Sequence, residues 1–193
     1  MKLLKTLLAS AVAVSAMPAL AYEAGDIIVK AGIVNVNPKE DSGIDGLTVK
    51  DDTQLGLTLT YMVAPQVGVE VLAATPFKHG IELNGDRVAT TKHLPPTVSA
   101  QYYLMDPASK LQPYVGLGVN HTFFFDEDGA VNHLGKSWGL SYSAGLNYDL
   151  GNNLLANAAV WKMDIDSEAD TALGELDVEI DPLVFMVGAG MKF

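Results

Sequence analysis

The chain has 193 residues, enough for one domain. Acidic residues outnumber Lys and Arg by 23 to 12, for a formal net charge of −11, which argues against a nucleic-acid partner because phosphate binding needs a basic surface. There is no cysteine, which excludes a disulfide framework and thiolate metal sites and leaves hydrogen bonds and packing to hold the fold.

Lys2 and Lys5 give a short positive start, Thr6–Met17 is an apolar run, Pro18 breaks it, and Ala19-Leu20-Ala21 supplies small residues for cleavage. This predicts a secretory leader over residues 1–21 and a mature chain over 22–193 that begins at Tyr22. The apolar run is shorter than the roughly 20 residues that a spanning helix needs. Downstream, apolar residues come in short segments interleaved with Gly, Ser, Thr and Asn, although mean hydropathy is positive at +0.20.

Those segments alternate with period two, so one whole side of each strand can be apolar. In Asp26–Val34, Ile27, Val29, Ala31 and Ile33 share a face. Thr53–Val63 puts Leu55, Leu57, Leu59, Tyr61 and Val63 on one side, with Gln54, Gly56, Thr58 and Thr60 on the other. Val67–Phe77, Leu94–Leu104 and Gln112–Phe124 behave alike. Ser137–Leu150 is the most regular: Trp138, Leu140, Tyr142, Ala144, Leu146, Tyr148 and Leu150 face away from Ser137, Gly139, Ser141, Ser143, Gly145 and Asn147. Asn153–Ile165 is apolar on both sides at first, and Asp181–Phe193 ends on the apolar parity. Eight candidate strands result.

The links alternate in length. Ala64–Gln66, Asp106–Leu111 and Gly151-Asn152 are short, whereas Asn37–Asp52, Lys78–Lys92, Asp126–Lys136 and Asp166–Glu179 are long, polar and mostly acidic. Short turns on one side and long loops on the other predict an all-β, eight-stranded antiparallel transmembrane β-barrel with both termini on the short-turn side. A soluble sandwich also alternates, but it does not account for the strict alternation of loop lengths. Tyr61, Tyr102, Trp138 and Tyr148 stand at strand ends where interfacial girdles form.

The mature chain resembles the outer-membrane protein W family. The resemblance is carried by Tyr22–Asp26, Thr53–Thr58, Val67–Phe77 (VGVEVLAATPF), His93–Thr97, Pro113–Phe125 (PYVGLGVNHTFFF), Ser137–Gly139, Val160–Asp166 and Ile180–Phe193. Leu183 stands where the family often has Trp, Lys162 where it often has Tyr, and the third long loop is short. The resemblance implies a barrel in the Gram-negative outer membrane with a narrow apolar lumen and passage of small hydrophobic molecules. Its surroundings would be outer-membrane lipid and lipopolysaccharide. Related alkane-uptake proteins carry the same barrel, and members can serve as bacteriocin or phage receptors. Phe193 resembles the terminal aromatic sorting signal read by the barrel assembly machinery.

Parity places Ile28, Val34, Met62, Leu72, Met105 and Met186 inside, with Leu155, Asn157, Ala159, Trp161 and Met163 in the seventh strand. Leu72 and Trp161 are the candidate constriction, and Met62, Met105 and Met186 join them as candidate lumen ligands. An eight-stranded barrel has room for side chains or one small ligand, so a hydrophobic conduit and a solidly packed core are both open readings. Pro95 and Pro96 lack the N–H that a ladder needs. They mark either a lateral opening beside the fourth strand or a harmless gap at the extracellular rim.

The acids Asp164, Asp166, Glu168, Asp170, Glu175, Asp177 and Glu179 cluster on the fourth long loop and its flanks. They read as a solvated face, with divalent bridging to lipopolysaccharide as the other reading. Of the histidines, His121 has outward parity, while His79 and His93 flank the second long loop and can meet. No hydroxyl nucleophile and carboxylate accompany a histidine in a catalytic motif. We therefore expect no enzyme, no metal and no cofactor. The remaining alternative is a plugged barrel whose loops bind partners.

Overall fold

A computed structural model describes residues 22–39, 46–129, 131–171 and 174–193. The expected leader, 1–21, lies outside them. Among the described residues the strands are β1 (Ile27–Asn37), β2 (Leu47–Val49), β3 (Asp52–Ala64), β4 (Val67–Ala74), β5 (Phe77–Leu83), β6 (Asp86–Leu94), β7 (Thr97–Tyr103), β8 (Leu111–Gly129), β9 (Val131–Leu134), β10 (Ser137–Gly151), β11 (Leu154–Met163), β12 (Asp166–Thr171), β13 (Gly174–Glu179) and β14 (Leu183–Lys192).

Eight of them close into an antiparallel barrel in the order β1, β3, β4, β7, β8, β10, β11, β14, with β14 pairing back onto β1. Closure leaves these strands no edge to expose. Side chains are distributed in the reverse of a soluble protein. On β10, Ser137, Ser141, Ser143 and Asn147 are buried, while Trp138, Leu140, Tyr142, Leu146, Tyr148 and Leu150 are exposed. Leu55, Leu57, Leu59, Tyr61 and Val63 form the same outward stripe on β3. A continuous exposed apolar belt of this kind belongs against hydrocarbon, with the alternating residues turned to the lumen.

The long segments are not plain loops. Asn84 and Gly85, at φ 53° and 92°, join β5 to β6, and Asn152 and Asn153, at φ 53° and 64°, join β10 to β11. Both are two-residue connections in the left-handed conformation, which matches the twist of a hairpin. The segment expected as a loop over Lys78–Lys92 is therefore mostly a hairpin, and β2, β9, β12 and β13 occupy parts of the other long segments. The outward side chains there, such as Lys78 and Lys92, are exposed or half-buried and charged, so the apolar alternation fades while the backbone still pairs. β8 crosses both tiers: its lower part pairs with β7 and β10, its upper part with β6.

Candidate functional site

The interior divides into two halves. In the lower half, near the short turns, the Lys30 Nζ of β1 donates to Glu70 Oε2 of β4 at 2.6 Å, with both side chains buried. The Thr60 hydroxyl donates to the same carboxylate at 3.1 Å, and the Lys30 ammonium lies 5.0 Å from the centre of the Tyr114 ring. Tyr22, Tyr103 and Tyr114 stack in series, with centroids 5.0 and 5.3 Å apart. The Asn157 amide donates to Asn147 Oδ1 at 2.8 Å, and the Asn147 amide donates to the Tyr22 hydroxyl at 3.1 Å. Gly145 makes room for this floor, because a Cβ there would overlap the Tyr114 ring across the β8–β10 ladder. This level of the lumen is closed by an ion pair and three phenols.

The upper half holds most of the buried apolar side chains: Val34, Val36, Leu72, Phe77, Trp161, Met163, Val184 and Met186, with Thr97, Asn120, Thr122 and Ser137 as buried polar groups among them. It is narrow as well: the Thr97 hydroxyl of β7 approaches the Met163 sulfur of β11 at 3.9 Å, although those strands are not neighbours. Trp161 is 0% exposed, so side chains fill the lumen at this level.

The wall beside this half is interrupted. Leu72 opposite Thr97 is the last rung between β4 and β7, and Phe77 opposite His93 is the first between β5 and β6. Between them Ala73–Pro76 faces Leu94–Pro96 without a ladder pair, because Pro76, Pro95 and Pro96 have no N–H to give. The gap is one-sided: the His121 amide donates to the Pro96 carbonyl at 3.0 Å, and Leu94 pairs with Phe123 on β8.

The family profile described as OmpW matches residues 23–193. Outer membrane protein W of Escherichia coli (strain K12) is 42% identical, with 98% of this chain and 100% of that protein aligned. The crystal structure of outer membrane protein OprG from Pseudomonas aeruginosa superposes with TM-score 0.81 at 42% identity, covering 90% of this chain and 98% of that one. The solid-state NMR structure of outer membrane protein AlkL in DMPC bilayers gives TM-score 0.69 at 26% identity, covering 94% of each chain.

The chain belongs to the OmpW family. It is a non-enzymatic barrel of the Gram-negative outer membrane. Within this OmpW-family barrel, Leu72, Trp161, Met62 and Met186 face inward, but they do not form one lining. Leu72 sits directly below the wall gap and Trp161 lies in the apolar half. Met62 belongs to the floor, where its sulfur and the Tyr103 ring crowd the same space beside Gly68. Met105 is a correction: it is 45% exposed in the turn after β7, outside the lumen, because the strand ends at Tyr103 and the period-two count no longer applies. The expected inward set Leu155, Asn157, Ala159, Trp161 and Met163 is buried throughout.

The narrow apolar lumen that the resemblance implies is crossed in its lower half by a buried ion pair. Lys30 and Glu70 carry the inward parity of Ile28 and Leu72, and a charged residue of each sign on inward positions of strands that both flank β3 was the signal for a buried pair. His121 stacks on Trp138 on the outer face, with centroids 4.0 Å apart. The acidic hairpin sets Asp166 opposite Glu179, Glu168 opposite Asp177 and Asp170 opposite Glu175 along the backbone; the side chains of Glu175, Asp177 and Glu179 lie outside those described.

His79 and His93 do meet, their rings stacked at 4.8 Å and 21°. They sit above the lipid-facing belt, on the β5–β6 hairpin. Burial pushes the His93 imidazole down to about 3, helped by the neighbouring His79, and burial also lowers His79. A histidine whose folded value lies below its unfolded 6.5 contributes stability that is complete above pH 6.5 and lost as pH falls from there toward 3. The unfolding midpoint in urea is therefore expected to drop between pH 7 and pH 4, and His93→Phe is expected to flatten that slope. A slope that the variant leaves intact would assign the acid sensitivity to other groups.

Proposed function

We propose that this barrel gives small hydrophobic molecules a passage from the cell surface into the outer membrane itself. A solute enters the apolar upper half, is stopped by the Lys30–Glu70 and tyrosine floor, and leaves sideways through the gap at Pro95 and Pro96. The observation that carries this reading is the interrupted ladder beside the buried apolar side chains of the upper half. Leu55, which is 64% exposed, is bonded to Thr75 beside the gap, and this supports a position at the upper edge of the apolar belt. Passage requires Leu72, Met163 and Trp161 to move aside. Unbranched methionine is suited to that because it repacks easily.

The test is entry of a small apolar tracer into liposomes whose outer leaflet is lipopolysaccharide, with and without the refolded barrel. Faster entry with the barrel, slowed by Leu72→Trp, supports the passage and puts its narrow point below the gap. Entry equal to that of protein-free liposomes removes it.

One observation favours a second reading. Complete burial of Trp161, Met163 and Met62 describes a filled barrel, which suits a receptor whose extracellular hairpins bind a bacteriocin, a phage or a host surface. Removal of residues 1–21, insertion guided by Phe193 through the barrel assembly machinery, and contact with lipopolysaccharide complete the proposal. Tyr22 supports the cleavage site, since its backbone nitrogen bonds the Pro107 carbonyl at 2.9 Å and its ring is seated in the floor.

A further inference from the structure

The apolar chamber has a polar ceiling. His79 of β5 and His93 of β6 point inward with Phe77, and Phe77 opposite His93 is the rung that bounds the gap from above. Phe77 and Phe124 frame His93 with ring centroids 5.5 and 5.8 Å away. Both histidines are nearly sealed, at 3% and 4% exposed. The Nδ1–H of His79 donates to the Lys50 carbonyl at 2.6 Å. A carbonyl can only accept, so in the neutral ring the proton is on Nδ1 and Nε2 is a bare lone pair. That Nε2, and the Nε2 of His93, have no hydrogen-bond partner among the described residues. An unpaired acceptor is costly to bury, and phenylalanine would fill the same space without the penalty.

We propose that His79 and His93 form a recognition subsite for an apolar molecule bearing one hydroxyl group, whose O–H donates to His79 Nε2 as its body lies along Phe77 and Phe124. The inference rests on the passage reading, and it names the solute class. A pure hydrocarbon leaves the lone pair unmet. An anion finds neutral rings and, beside His79, the carboxylates of Asp51 and Asp52. A metal ion is poorly served, since stacked rings aim their in-plane lone pairs side by side and no third ligand joins them among the described residues. A flat ring carrying a hydroxyl can stack with the imidazoles and satisfy the acceptor at once.

The test uses 1-naphthol and 1-methylnaphthalene, which differ by hydroxyl against methyl at nearly equal size. With the barrel in bilayer nanodiscs, 1-naphthol is expected to move the imidazole Nε2 resonance of His79, and 1-methylnaphthalene is not. His79→Phe keeps the stack and removes the acceptor. It is expected to weaken 1-naphthol binding about three- to tenfold, the worth of one hydrogen bond, and to leave 1-methylnaphthalene binding unchanged. Equal effects on the two probes, or an unmoved resonance in the wild-type barrel, would overturn the subsite. Entry into lipopolysaccharide-covered liposomes separates the two ideas: a moved resonance with no accelerated entry of either probe keeps the subsite and discards the passage.

Discussion

Replacing Glu70 with alanine is expected to lower the unfolding free energy of the barrel by about 3–5 kcal/mol, because it leaves the Lys30 ammonium buried with no carboxylate. The loss should be visible as a lower urea midpoint for the refolded protein in lipid vesicles. The paired change Lys30→Met with Glu70→Leu should recover most of it, since replacing a buried ion pair by apolar groups of similar volume is often close to neutral. The pair would then be kept for what it does to the lumen, which in the proposed route is to stop solutes short of the periplasm. A loss from Glu70→Ala of under about 1 kcal/mol would place the pair in water, as for exposed ion pairs, and would remove the floor from the proposed route.

Replacing Pro95 and Pro96 together with threonine restores two N–H groups opposite Ala73–Pro76. The expected result is a closed wall and entry of the apolar tracer reduced to that of protein-free liposomes. The barrel should unfold at the same or slightly higher urea concentration, each new hydrogen bond adding about 0.5–1.5 kcal/mol at most. Stability and transport should thus move apart, which separates this change from ordinary damage. Unchanged entry in a folded double variant would send the solute elsewhere, with the Lys30–Glu70 floor as the next barrier to examine.

Much of this architecture was legible from alternation alone. Trp138 to Leu150 on one parity and Ser137 to Asn147 on the other sort to lipid and lumen as a period of two requires. Even the ambiguous seventh strand resolves once its neighbours set the parity of Leu155 and Trp161. Alternation fails where its physical cause is absent. Beyond the bilayer the outward side of β5 and β6 meets water, so Lys78 and Lys92 replace the apolar stripe and the hairpin reads as a loop. The Asn84-Gly85 pair, which favours a tight hairpin turn, was the surviving signal. Met105 misleads because parity has no meaning two residues past the end of a strand. The division of the lumen was harder to read, because alternation says which residues turn inward but not which of them meet across the barrel. Lys30 and Glu70 lie two strands apart along the wall, with β3 between them, and are in contact only through the closed lumen.

Ile27 and Phe193 exchange backbone hydrogen bonds at 2.8 and 3.0 Å, so the two ends of the described barrel are each other's partners. The first strand of the barrel has its partner in β14, the last of the described barrel strands, and until that partner is in place its edge stays open. The polypeptide must cross the periplasm with an unsatisfied strand edge, in a state that invites aggregation. Closing over the widest sequence separation between any two of the described barrel strands is also intrinsically slow. The register between β1 and β14 is therefore expected to leave the unclosed chain in need of escort on its way to the membrane, however stable the finished barrel becomes.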